Sequence, residues 1–317
     1  MSSSSKFPHE ANAKARPTKS RLADLCGIAL PIFQAGMAGI AGPELVAAVS
    51  DAGGLGHLGG LRQPPSALRA AIREVKRRTD RPFGVNLVPA FGGPEVFEAQ
   101  LQVVFEEKPR VLSLFYGDFP KAIPRARDAG ILVMVQVGSV RETRKVVEQG
   151  ADVIIAQGVE AGGHVRGTVG LLPLLSSVVD FARGRPVLAA GGIVDETDVR
   201  AVRALGAEGV WVGTAFVATP ESLAHDIFKN RIIEASTDDP QYRTGYSFCW
   251  TYGTPHRIIP GDGRFNLLRF VGGGARVNDK PAIAQKLSLY AGQGVGRITE
   301  ISLAAKIVAR LAKGFED

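Results

Sequence analysis

Cysteine is scarce in this chain. Cys26 and Cys249 are the only two in 317 residues, and they lie far apart. That excludes a disulfide framework and a cysteine-based zinc site, and makes a reducing, cytoplasmic compartment the expectation. No run of 18 apolar residues occurs, so no membrane-spanning helix is expected. The N-terminal stretch has no apolar core of the kind a secretory signal needs. No G-x-x-x-x-G-K-[ST] run is present, which excludes a P-loop. No G-x-G-x-x-G opens a βαβ unit either, because the similar run Gly54–Gly60 is itself part of a strand region.

Hydrophobic residues make up 45% of the chain and charged residues 22%, the balance of a soluble globular enzyme. The length suits one large domain or two smaller ones, with a core that needs no disulfides. The net charge of +7 is unevenly placed. Lys6, Lys14, Arg16, Lys19 and Arg21 face a single acid, Glu10, within the first 21 residues. Residues 1–20 are polar, lack apolar periodicity and read as a disordered basic leader. Their basic, serine-rich composition is compatible with a transit peptide, although Glu10 and the shortness of the stretch argue against one. The rest of the charge lies in mixed helical pairs, as in Arg73-Glu74 followed by Lys76, Arg77 and Arg78. No nucleic-acid motif accompanies it.

Short β-rich segments alternate with helical ones from Leu30 to Ala218. The strands are read at 31–35, 54–58, 83–88, 110–115, 131–137, 152–157, 186–190 and 209–212. Helices fill 43–52, 65–78, 94–107, 119–129, 140–149, 172–182 and 196–205. Proline opens several of these helices, and Gly53, Gly130, Gly150 and Gly206 stand where C-caps belong. Eight such units predict an α/β fold, a (β/α)8 TIM barrel, with a doubly wound open sheet as the alternative. The rhythm breaks after Ala218. Residues 220–234 read as helical, and 236–274 are rich in Gly, Pro, Asp and aromatics, including Tyr242, Tyr246, Phe248, Trp250 and Tyr252. The chain is therefore divided into a barrel, 21–225 and 291–317, and an inserted subdomain, 226–290, placed to cover the barrel mouth. A last helix is expected over 299–312, with Ile301, Ala304, Ala305, Val308 and Leu311 on its apolar face.

Chemistry is expected in loops at the C-terminal ends of barrel strands. The sixth strand runs into Gln157-Gly-Val-Glu-Ala-Gly-Gly-His164. Gly162 and Gly163 leave room for a flat ligand, and His164 supplies an imidazole, the side-chain type suited to proton transfer near neutral pH. The turns Gly191-Gly192 and Gly213-Thr214 follow strands seven and eight, where barrels often bind a phosphate on backbone N–H groups and a helix N-terminus. Read alone, each is a tight turn. Neutral amides at the strand tips, Gln34, Asn86, Gln136 and Gln157, suit a flat heteroatom-rich ring and do not suit a metal. No metal site is expected. His57 and His225 read as structural, His256 as a weaker functional candidate, and Glu160 as a residue that shapes its loop.

These residues together resemble the nitronate monooxygenase family, once called 2-nitropropane dioxygenases. The matching stretches are Gln-Ala-Gly-Met-Ala-Gly at 34–39, Gly-Val-Asn-Leu at 84–87, the loop at 157–164, Ala-Ala-Gly-Gly-Ile at 189–193 and Gly-Thr-Ala-Phe at 213–216. The resemblance implies a metal-free barrel that binds FMN. It places the phosphate on Gly191, Gly192, Gly213 and Thr214. It places the ring against Ala35, Gly36 and Met37, with Asn86, Gln136 and Gln157 at the polar edges. Gly292 and Gln293 would approach from the C-terminal side, and His164 would be catalytic. The implied reaction is oxidation of alkyl nitronates or nitroalkanes with O2 to a carbonyl compound and nitrite. The alternative on the same barrel is an FMN-dependent NAD(P)H:quinone or enoyl-thioester reductase. The segment 246–259 departs from the family's arginine-glycine-asparagine pattern, so substrate choice is the open point. Expected partners are a small-molecule substrate and O2, with a homodimer as an option and neither nucleic acid nor membrane.

Overall fold

The computed structural model describes residues 20–61, 63–89, 93–245, 247, 250–263, 267–271 and 280–316. The basic leader up to residue 19, and Tyr246, Phe248 and Cys249, lie outside the described residues. The strands are β1 (Ile32–Gln34), β2 (His57–Gly59), β3 (Gly84–Leu87), β4 (Val111–Leu114), β5 (Leu132–Val137), β6 (Val153–Gln157), β7 (Gly163–His164), β8 (Val187–Ala190) and β9 (Gly209–Val212). All but β7 pair in parallel, in the order β1-β9-β8-β6-β5-β4-β3-β2. Closure comes just before β2, where Phe33 bridges to Leu55. The Leu55 N–H donates to the Ile32 carbonyl at 2.9 Å, and the Gln34 N–H to the Leu55 carbonyl at 3.0 Å. The sheet is a barrel, and the open doubly wound alternative is set aside.

The helices between strands are α2 (Pro43–Asp51), α3 (Pro65–Arg78), α4 (Gly93–Glu107), α5 (Ala122–Asp128), α6 (Val140–Glu148), α7 (Leu171–Phe181) and α8 (Glu196–Ala204), and α1 (Arg21–Cys26) precedes them all. Each expected βα unit is present, with ends shifted by a few residues. Gly53, Gly130, Gly150 and Gly206 all take positive φ, as the expected C-caps require. Strand residues are buried on both faces, as a parallel sheet covered by helices demands. One side of the alternation packs against the helices. The other side, including Phe33, Leu55, Met134, Ile155, Leu188 and Trp211, fills the barrel, with Leu22 and Cys26 of α1 in the same cluster. Burial there pushes the Cys26 thiol up to about 12, so it stays protonated and inert.

Four features differ from the sequence expectations. Helix α1 is an addition, held by the Ser20 hydroxyl at its start and Gly27 in the left-handed region at its end. The helix expected from 220 begins only at Asp226, as α10 (Asp226–Glu234), after α9 (Thr214–Val217). His225 sets that start, its Nδ1 accepting the Ile227 N–H at 3.1 Å. The last helix, α12 (Ala304–Ala312), follows α11 (Pro281–Lys286) and starts late because the Glu221 carboxylate accepts the Ala304 N–H at 3.0 Å. Its buried stripe is Ala304, Ile307, Val308, Leu311 and Ala312, so the expected Ile301 and Ala305 lie outside it.

A second, four-stranded sheet joins β7 to β10 (Gln241–Arg243), β11 (His256–Ile259) and β12 (Leu289–Tyr290). Strand β11 is its centre: antiparallel to β10, to β12 and to β7, with His256 opposite His164. Among the described residues no helix is long and apolar enough to cross a membrane.

His57 is fully buried inside the barrel, its ring 4.5 Å from that of Trp211. Neither ring nitrogen has a hydrogen-bond partner. Burial pushes its pKa down to about 3, offset only in part by the Leu55 and Gln34 backbones. The folded value lies below the unfolded one, so the unfolded chain takes up the proton first. The stabilising contribution is complete above about pH 6.5 and is lost as pH falls toward 3, by up to about 1.4 kcal/mol per pH unit. Denaturant unfolding of wild type and His57→Leu at pH 7 and 4.5 should therefore show a smaller pH-dependent loss in the variant. Equal losses would mean that this imidazole is not buried neutral.

Candidate active site

One cavity of about 700 Å³ opens at the C-terminal ends of the barrel strands. Ala35, Gly36, Met37, Asn86, Gln136, Gln157, Gly162, Gly163, His164, Gly191, Gly192, Gly213, Thr214 and Gly292 all line it. Gln293 does not; its backbone N–H donates to the Glu160 carbonyl at 2.9 Å and ties two loops together. Gln34 is also absent from the wall. Its Oε1 accepts the His57 N–H at 3.0 Å, and its Nε2 donates to the Ala35 carbonyl, which uses up the amide within the barrel.

The loop 157–164 is tied at nearly every residue. The Gln157 Nε2 donates to the His164 carbonyl at 3.1 Å, and its Oε1 accepts the Arg166 N–H at 2.8 Å. Both Glu160 carboxylate oxygens accept the Leu171 N–H at 3.0 Å, and so cap α7, whose own N-cap is a glycine. Arg257 donates from Nε and Nη2 to the Val159 carbonyl at 3.1 and 2.8 Å. A Cβ on Gly162 would stand 2.5 Å from the backbone of Ala291 and Gly292. Only glycine permits that approach. Gly292 in turn donates to the Thr214 Oγ1 at 3.0 Å.

The opposite wall is a backbone cradle. Gly191 and Gly192 take φ of 114° and 74°. Gly213 precedes α9 directly, so the first N–H groups of that short helix face the turn. A Cβ on Gly213 would meet only Ala35 and Met37, both at 3.6 Å, an ordinary contact. Protein packing alone therefore does not require glycine there. Helix α8 offers no free N-terminus, because Asp195 and Asp198 form a capping box and pair with Arg297. The residues expected to bind an anion therefore do not include the start of α8, whose N-terminus is already capped. Asn86 donates from Nδ2 to the Ser113 Oγ at 3.0 Å, which holds its amide at the cavity wall.

His164 stands at the rim of the cavity. Its Nε2 is 3.1 Å from the Ser247 Oγ, and its ring stacks on Trp250 at 3.7 Å and 17°. Tyr290 and Trp250 line the same cavity. The sequence reading did not select Ser247, Trp250 or Tyr290 as site residues; the density of aromatics in 242–252 was the available signal. Tyr116 lies outside the cavity wall and packs against Trp250. Its hydroxyl donates to the Val165 carbonyl at 2.8 Å, and Arg166 lies over its ring at 4.7 Å. His256 does not line the cavity, and burial lowers its pKa. Among the described residues no group of three or more His, Cys, Asp or Glu is placed to hold a metal ion.

The nitronate monooxygenase family model matches residues 19–92 and 88–259. A Mycobacterium tuberculosis protein, (3aS,4S,5R,7aS)-5-hydroxy-7a-methyl-1-oxo-octahydro-1H-indene-4-carboxyl-CoA dehydrogenase, is 38% identical over 245 residues. The match spans 76% of this chain and 66% of that protein's own length. A nitronate monooxygenase of Pseudomonas aeruginosa is 37% identical over 260 residues, 67% of this chain and 73% of that one. Among solved structures, FabK from Thermotoga maritima superposes with a TM-score of 0.81 at 34% identity, covering 94% of this chain and 96% of that one. With the barrel, the cradle and the histidine loop in place, these matches show that the chain belongs to the nitronate monooxygenase family.

Proposed function

We propose that this chain binds FMN and oxidises alkyl nitronates and nitroalkanes with O2 to a carbonyl compound and nitrite. The observation that carries the reading is His164 at the rim of a cavity whose far wall is a side-chain-free cradle. The residues fit FMN. The 191–192 turn, Gly213 and Thr214 supply backbone N–H groups and a hydroxyl for a phosphate. Ala35, Gly36 and Met37 form a flat wall at the tip of β1, and Asn86 and Gln136 offer amides to polar ring edges. When bound, FMN supplies the redox chemistry.

The protein's own part is binding, orientation and a proton. A nitroalkane has an acidic α-carbon, and the His164 imidazole at the cavity wall would take that proton. Gln157 holds the His164 carbonyl and so fixes the height of the ring above the strand tips. Ile40, Leu223, Ile283 and Leu287 line the same cavity and suit an alkyl group.

A second reading is a reductase driven by NADH or NADPH. It is favoured by the similarity to FabK and to the CoA-ester dehydrogenase. Reductant demand separates the two. An anaerobic visible spectrum of the purified protein should show flavin bands that bleach with an alkyl nitronate alone. Bleaching by NADH or NADPH with no response to nitronate would favour the reductase. No flavin band after reconstitution with FMN would overturn the cofactor.

Two variants test the residues. His164→Ala should keep FMN yet lose turnover of neutral nitroalkane by about 10²- to 10⁴-fold. Full activity would remove His164 from the reaction. Gly213→Ala should fold normally by circular dichroism, since its methyl meets only ordinary contacts, but bind FMN about tenfold or more weakly. Unchanged affinity in an FMN titration would move the phosphate elsewhere.

A further inference from the structure

The contacts that fix the His164 ring come largely from outside the barrel. Ser247 is buried, and its Oγ lies 3.1 Å from His164 Nε2 and 3.2 Å from the Tyr290 hydroxyl. Trp250 covers one face of the imidazole, and its own edge meets Tyr116 at 5.1 Å. The backbone of His164 is paired with His256 across the β7–β11 ladder. The rings of His256 and Tyr290 complete the surround, at 5.6 and 5.4 Å. The nearest cation along this stack is Arg166, which lies over Tyr116 and is paired with Glu142 at 2.5 Å.

An imidazole on a loop has two freedoms that weaken it as a base. It can flip about its last torsion, and it can exchange tautomers. A stacked indole fixes the plane of the ring. A hydroxyl on one ring nitrogen fixes the flip, because a flipped ring would present carbon to that oxygen. The tautomer follows from the direction of the hydroxyl chain: when Ser247 donates to the Tyr290 hydroxyl, its Oγ accepts the Nε2–H and the lone pair stays on Nδ1. A base locked in one tautomer is the arrangement a proton abstraction needs.

We propose that Ser247 and Trp250 are positioning residues for His164. Ser247 sets its tautomer through Nε2, and Trp250 sets its ring plane. The Tyr290 hydroxyl, at the cavity wall, orients Ser247 in turn. The barrel thus supplies the cradle, and the segment after α10 supplies the alignment of the base. This rests on the reading of His164 as a base.

The test uses the full-length, FMN-loaded protein and 15N-labelled histidine. The chain has five histidines, and loss of one signal in His164→Gln identifies the side chain. Wild type should show a single tautomer for His164. Ser247→Ala should give a mixture, Ser247→Thr should restore one form, and Trp250→Leu should broaden the signal while Trp250→Phe keeps it sharp. In kinetics, Ser247→Ala should lower kcat for neutral nitroalkane about 10- to 100-fold with KM within about threefold. The loss should be larger with the nitroalkane than with its preformed nitronate, which has no α-proton left to give. A mixed tautomer in wild type would overturn the proposal without any variant. So would an unchanged tautomer and unchanged turnover in Ser247→Ala. Failure of the base reading is seen separately, as full nitroalkane turnover in His164→Ala, while the tautomer signal still reports on Ser247.

Discussion

His164 belongs to a strand of two residues, too short to hold a direction by itself. Its direction is borrowed from β11, which pairs with it across the mouth of the barrel. That antiparallel pairing is the constraint on which the site depends. It carries Ser247 and Trp250 to the ring, and it brings Arg257 over the loop, where the guanidinium holds the Val159 carbonyl. Burial lowers the pKa of Arg257, yet the cation is kept by its carbonyl partners and by Tyr242 beneath it. A buried cation satisfied by carbonyls fixes loop geometry in a way an exposed ion pair does not.

Close backbone approach is the second device. The 157–164 loop meets the turn at 291–293 at glycines on both sides, so the two main chains touch without intervening side chains. The Thr214 hydroxyl then binds Gly292 to the tip of β9. Three segments distant in sequence are locked at one end of the barrel, and the cavity wall inherits their rigidity.

The barrel was legible because its signals are local and repeated. Proline at several helix starts, glycine at several helix ends and short apolar strands recur along the chain, and the eight strands follow from them. The cavity wall was legible for a related reason. Glycines and amides at strand tips stand out against Val, Leu and Ile. What stayed hidden depends on distant partners. Strand β7 exists only because β11 reaches it, and β11 comes from a stretch with no strand periodicity of its own. The starts of α10 and α12 were misplaced because His225 and Glu221 set them through single hydrogen bonds. Gln34 was grouped with the other amides because strand position cannot say whether a side chain faces the mouth or turns back to the backbone of β2.

The acidic residues around the mouth are each tied up by a local partner. Glu160, Asp195, Asp198 and Glu142 all lie close to the cavity loops, and each is occupied. Glu160 is spent on the first N–H of α7, and the two aspartates on the cap of α8 and on Arg297. Glu142 accepts the Gly138 N–H at 2.8 Å and pairs with Arg166. A carboxylate satisfied by N–H groups and a cation presents little negative potential to a neighbouring ligand. The proposed function assigns the phosphate to backbone N–H groups of the 191–192 turn and of the start of α9, which favour negative charge. Under the proposed function, the same local pairing that shapes the loops keeps these carboxylates from opposing a phosphate on one side and a nitronate beside His164 on the other.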